Sequence, residues 1–263
     1  MPRSYSRRTV LLAVGAAGMT TSTGCLDGLL RSASDSRTLS ISGTESGETA
    51  SDFRAYVGRI HDRYGPHGVW GVQNTESDHP FDTAKLTYVG AWSDQWVLGT
   101  AADKKGIHVS IDVAGVLYRV RPSQQSATRG ERYRLWLWTG ATPTQPDDGV
   151  SNTTLTTLSV GIDIDGGVLD SYRPTTSVGP DDTPIRIGFD DPLFPRTRRR
   201  LPAGRIQPDP DETNTGNNGA FVLNWSGGYG DTISVAGACE LHQRKKKFEF
   251  TVTSEASASQ GTL

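Results

Sequence analysis

Arg132, Arg134, Trp136 and Trp138 fall on every second position of one short run. In a strand that spacing puts all four on a single face. If Tyr133, Leu135 and Leu137 turn to a core, the two indoles and two guanidiniums form an outward row, either suited to stacking on sugar rings or on a partner protein or covered by the long loop region or the helix that begins at Ser51. Carboxylates make a second set. Asp163, Asp165 and Asp170 bracket Gly166-Gly167, and Asp209 and Asp211 head an oxygen-rich stretch that runs to Asn218. Ca²⁺ takes roughly six to eight such oxygens. Neither run has the register of a helix-loop-helix calcium loop, and Asp, Asn and Gly are also what tight turns require. The same carboxylates fit the acid/base pair of a glycosidase, but a sequence gives no distance between them.

Two basic runs concentrate positive potential: Arg196-Thr-Arg198-Arg199-Arg200, and Arg244-Lys245-Lys246-Lys247 ahead of the last strand. Each suits a polyanion, whether sulfated glycan, lipid headgroup or nucleic acid, and each is equally the charged tip of a solvated loop. The five histidines, His61, His67, His79, His108 and His242, lack the fixed spacing of a metal site. No nucleophile elbow, zinc-protease helix, phosphate-binding loop or dinucleotide fingerprint occurs. Cys239 shares its alternation with Ile233 and Val235, which predicts a buried, inert thiol. Asn152-Thr-Thr154 and Asn224-Trp-Ser226 match the glycosylation acceptor pattern. Asn152, read as a loop residue, is the better of the two.

The elements that must position these residues are mostly strands. One helix is expected over 51–64, where Phe53, Tyr56, Val57, Ile60 and Tyr64 recur at helical spacing and Gly65-Pro66 stops the run. Its apolar stripe predicts a lid on a core. Beyond Gly68 the period becomes two, in about ten segments. Among them are Ile107 to Val113, Val116 to Val120, Tyr133 to Leu137, Leu158 to Asp165, Phe221 to Trp225 and Phe248 to Val252, with Ala114-Gly115 read as a turn. The pattern predicts an all-β, antiparallel β-sandwich, jelly-roll-like, with one N-terminal amphipathic helix. It lapses over 166–219, where eight prolines leave only Ile185 to Phe189 reading as a strand, so a long irregular loop region is expected there.

The chain has 263 residues with 35% hydrophobic side chains, which bounds it to one domain of ordinary size. Ser6-Arg7-Arg8-Thr9-Val10-Leu11-Leu12 sets paired arginines before an apolar stretch, Val10 to Met19, too short to cross a bilayer of about 30 Å. With Thr23-Gly24-Cys25 behind it, the segment resembles the signal peptide of a haloarchaeal-type twin-arginine (Tat) exported lipoprotein. That resemblance covers the first 25 residues and names no family for the rest. It implies export through Arg7 and Arg8 and a lipid on Cys25, so the membrane is one expected partner and the outer face of the cytoplasmic membrane the expected location, with a secreted form as the alternative. The remainder carries 24 basic against 29 acidic residues, which makes no general case for nucleic acid.

Residues 26–50, rich in Ser, Thr, Gly, Asp and Glu, read as a flexible tether, 51–253 as the sandwich, and 254–263 as a disordered tail. Two function classes follow. One is a non-enzymatic binding or envelope module whose partner is a glycan or an envelope protein. The other is an extracellular hydrolase acting on glycans. No cofactor is expected beyond Ca²⁺.

Overall fold

In the computed structural model the described residues are 30–42, 47–64, 85–99, 106–121, 131–146, 151–181, 185–189, 194–199, 201–243 and 249–262. The chain runs β1 (Leu30–Ser42), α1 (Ala50–Tyr64), β2 (Leu86–Gly99), β3 (His108–Val120), β4 (Arg132–Pro143), β5 (Ser151–Asp165) and β6 (Gly167–Arg173). It continues with β7 (Ile185–Phe189), β8 (Phe194–Arg199), β9 (Arg205–Pro208), β10 (Gly216–Asn217), β11 (Ala220–Tyr229), β12 (Ile233–Gln243) and β13 (Glu249–Thr262). Two open antiparallel sheets result. Sheet A has the order β1-β13-β5-β11-β9, and sheet B has β10-β6-β12-β4-β3-β2. β7 and β8 form a separate two-stranded ribbon.

Alternation decides which rows meet. From sheet A the inward row includes Leu158, Val160 and Ile162 of β5, Phe221, Leu223 and Trp225 of β11, and Phe250 and Val252 of β13, all buried. Sheet B answers with Val109, Ile111 and Val113 of β3, Leu135 and Leu137 of β4, and Val235 and Cys239 of β12. Rings cross between the layers: Trp92 lies 5.7 Å from Phe250, and Tyr172 stacks on Phe221 at 4.9 Å. Full burial of Cys239 pushes its thiol well above the ordinary value, as befits an inert core residue.

Ala114 and Gly115 make no turn. They continue β3 opposite Ser93 and Trp92, and a side-chain carbon on Gly115 would come within 2.1 Å of the Trp92 ring. The glycine is there to admit an indole.

The tether and the tail are also corrected. β1 and β13 pair over their whole lengths, from Leu30 opposite Gly261 to Ser42 opposite Glu249, and β13 pairs in turn with β5. The sandwich therefore spans 30–262. Counted as composition, Ser, Thr, Ala and Gly suggest a chain with too little to bury. Placed in a strand they alternate, so that Phe250, Val252, Ser254, Ala256, Ala258 and Gln260 are buried while Thr251, Thr253, Glu255, Ser257 and Ser259 point away. Small inward residues suffice because the neighbouring strands supply the bulk.

The region 166–219 is likewise no single loop, since it holds β6, β7, β8, β9 and β10. Of its described prolines, Pro174 and Pro208 sit at strand ends, Pro195 on the two-stranded ribbon, and Pro180, Pro202 and Pro210 in turns or bends, positions where the missing N–H costs little. β5 passes from sheet A into β6 of sheet B through Gly166 alone, at φ 78°, with Asn218 Oδ1 accepting from the Gly166 N–H.

α1 begins at a capped end. Thr49 Oγ1 accepts from the Asp52 N–H at 3.2 Å and donates to Asp52 Oδ2 at 2.7 Å, a Thr-x-x-Asp capping arrangement. Phe53, Tyr56, Ile60 and Tyr64 are buried and Arg54, Arg59 and Asp62 are exposed. The stripe covers the outer face of sheet B. Tyr64 meets Trp138 edge-on at 5.0 Å and donates to Asp112 at 2.8 Å.

Candidate functional site

Arg132, Arg134, Trp136 and Trp138 do occupy one face of β4, opposite in direction to Tyr133, Leu135 and Leu137. That face is not open: Trp136 and Trp138 are fully buried and Arg134 is 3% exposed. The expected stacking row is thus corrected to a second core. α1 closes one end of it through Tyr64, and the β7 end of the ribbon closes the other. Phe189 there stacks its ring 3.9 Å from the Arg134 guanidinium, with Arg173 on it at 5.2 Å. Glu240 Oε2 takes Arg134 Nη2 at 2.6 Å and Arg132 Nη2 at 3.1 Å, and His242 pairs with Asp170 beside them. A charge network of this kind fixes packing. Alternation makes the shared face legible in the sequence, and of the two outcomes it leaves open, the structure shows cover by the helix and by a strand of the 166–219 region.

The carboxylates separate. Asp163 and Asp165 stand exposed on β5, with Asp163 in register with Thr251 and Ala220, and Asp165 with Glu249. Asp209 is committed to a turn. Its Oδ1 accepts from the Asp211 and Glu212 N–H groups at 2.9 and 3.2 Å, and its Oδ2 from Asn224 Nδ2 at 2.8 Å. Among the described residues no three His, Cys, Asp or Glu side chains converge as metal ligands. All five described tryptophans are buried, so none lines a cleft beside these acids.

Asn152 lies within β5 opposite Gly261 and is half-buried, which corrects its reading as a loop residue. Arg198 and Arg199 lie on β8 opposite Arg186 and Ile185. Arg200, the run Arg244 to Lys247, Arg7, Arg8 and Cys25 lie outside the described residues.

Among the described residues a different surface is left uncovered, the outer face of sheet A. Register aligns Ser36, Glu255, Ser159, Asn224 and Gln207 in one row across five strands, and Ser34, Ser257, Thr157, Ser226 and Arg205 in the next. The residues of both rows are exposed or half-buried. Hydroxyls, amides and carboxylates spaced about 4.8 Å apart across the strands offer alternating donors and acceptors to a polar partner. The sequence reading does not assemble this face, because it places β1 in a tether, β13 beyond Val252 in a tail and β9 in a loop region. The available signal was the period-two recurrence of Ser and Thr in 32–42 and 251–259.

Glu255 sits in the middle of that face, and its carboxyl is raised above the ordinary value, first by partial burial and then by Glu212 nearby. A carboxyl raised in the folded state contributes stability below its unfolded value, and that contribution is lost as pH rises through the folded one. Glu255→Gln is therefore expected to raise the unfolding midpoint at pH 7 by roughly 1–2 °C, an effect of at most about 0.5 kcal/mol. The gain should vanish below about pH 4, where glutamate is itself neutral. Paired thermal melts at the two pH values check it.

No protein-family model matches the chain, and no curated protein matches it. Among solved structures, one described as a pore forming protein is similar over 66% of this chain and 86% of its own, at 8% identity and a TM-score of 0.30. A likeness that distant carries no argument about fold or function.

Proposed function

We propose that this chain is an exported, lipid-anchored, non-enzymatic module of the cell surface that offers the outer face of sheet A to a glycan or envelope protein. The observation that carries the reading is that face itself, a five-stranded hydrogen-bonding surface left uncovered while the aromatic and guanidinium candidates are absorbed into packing. The anchoring half rests on Arg7, Arg8 and Cys25, with the described fold starting at Leu30, directly behind the lipid-acceptor cysteine.

Both halves are testable in a host with twin-arginine export. The full chain should partition into detergent with the membrane fraction, Cys25→Ser should move to the aqueous phase, and an Arg7→Lys/Arg8→Lys pair should hold the protein inside. An unmodified wild-type chain in the cytosol would end the anchoring reading. For the face, Thr157→Arg and Ser257→Arg project into solvent and should leave the melting temperature within about 2 °C. They should abolish binding to isolated envelope material; undiminished binding would remove this face from consideration.

A further inference from the structure

Where the fold begins sets how it can stand on a membrane. Five Cα steps separate Cys25 from Leu30, so fully extended they reach at most about 18 Å. Leu30 opens β1 opposite Gly261, and Gly261 pairs with Asn152 at the start of β5. The turn after β11 closes on the same place: Gln145 Nε2 donates to the carbonyls of Thr153 and Gly230 at 3.0 and 2.6 Å, and its Oε1 accepts from the Thr153 N–H. Sheet B ends here too, with Gly99 opposite His108 and Pro143 opposite Val109. One end of the sandwich thus gathers the first residue of the fold and the turns that stitch both sheets together.

The other end is out of reach. From Leu30 to Ser42, β1 rises about 40 Å, at roughly 3.4 Å per residue. There Ser42 and Asp165 both face Glu249, and Arg132 faces His242. Lying flat on sheet A is disfavoured as well, because that outer face carries Asp163, Asp165, Glu249 and Glu255 against Arg205, and the net negative charge of these residues opposes an anionic leaflet.

We infer that, on a lipid-bearing Cys25, the Leu30 end of the sandwich is the surface turned to the bilayer, with the strands standing away from it. This rests on the anchoring reading above. Gln243 and Glu249, which bracket the Arg244 to Lys247 run, lie at the far end, several Debye lengths of about 8–10 Å from the headgroups.

The one described cysteine is buried with an unreactive thiol, so introduced cysteines label cleanly. Asp231→Cys, exposed in the turn at the Leu30 end, and Glu249→Cys, exposed at the far end, are each made in the full chain. The lipidated proteins are reconstituted in phosphatidylcholine vesicles containing a headgroup-attached nitroxide lipid, and a small fluorophore is attached. The Asp231 label should lose most of its emission to the quencher, and the Glu249 label should keep nearly all of it. Equal quenching of both, or stronger quenching at Glu249, overturns the orientation. Protein that fails to join the vesicles and labels at Cys25 instead shows that the anchor is absent. That result overturns the premise separately.

Discussion

Trp138→Ala should cost about 3–5 kcal/mol of folding stability and lower the unfolding midpoint by on the order of 10 °C, with no selective loss of binding. Trp138 is fully buried between sheet B and α1, edge-on to Tyr64 at an interplanar angle of 85°. A side-chain carbon on the neighbouring Gly140 would fall 2.5 Å from its ring and 2.6 Å from that of Tyr64, so no spare room exists for the site to collapse into. Truncation leaves a cavity lined by atoms that lose their contacts, and relaxation by a helix pinned at Tyr64 is limited. The measurement is a denaturant or thermal melt of the variant beside a binding assay on envelope material. A midpoint within about 2 °C of wild type together with lost binding would return Trp138 to a surface role.

That prediction turns on what a sequence can and cannot carry. Period two in Arg132 to Trp138 states which residues share a face, and the structure places them so. Whether the face is wet depends on Tyr64 of α1 and Phe189 of β7; the helix and the 166–219 region are the two covers the sequence offers, but nothing local decides between cover and exposure. Helix α1 was readable for the opposite reason. Its stripe and the Gly65-Pro66 stop are local, whereas the Thr49 cap, which the structure shows, lies in the segment read as a tether.

β1 reads as a tether, and β13 beyond Val252 as a tail, because polar composition outweighs period there, and each is stabilised mainly by its partner across the ladder. An edge pair rich in Ser and Thr has little propensity signal of its own. The candidate site suffered in consequence. The outer rows of sheet A exist only once Ser34 and Ser36 are set beside Ser257 and Glu255, and register between chain positions more than two hundred residues apart is not written in either segment.

Asp112→Ala is expected to cost about 2–4 kcal/mol, the second large loss, by undoing the polar pin beneath α1. The Asp112 side chain is 6% exposed and accepts from Arg63 Nη1 at 2.7 Å and from the Tyr64 hydroxyl at 2.8 Å. Its hydrogen bond holds the Arg63 guanidinium above its ordinary value, while burial is the main cause that pushes the Tyr64 phenol up. Removing the carboxylate takes this acceptor from the buried Tyr64 hydroxyl and leaves Thr142 as its side-chain partner. It also frees Arg63, which is partly exposed and recovers much of its hydration, so the loss falls mostly on the tyrosine. Two phenol variants separate this pin from helix packing in general. Tyr64→Phe removes the bond to Asp112 and leaves that carboxylate held by Arg63, so about 1 kcal/mol is expected. Tyr56, two turns earlier on the same stripe, has a buried hydroxyl with no partner among the described residues, so Tyr56→Phe should be neutral or slightly stabilising. In the double variant Asp112→Ala/Tyr64→Phe the losses should be less than additive by about 1 kcal/mol or more, because the hydroxyl that lost this acceptor is gone. Additive losses would show that Tyr64 holds the helix by its ring alone and that the carboxylate acts through Arg63.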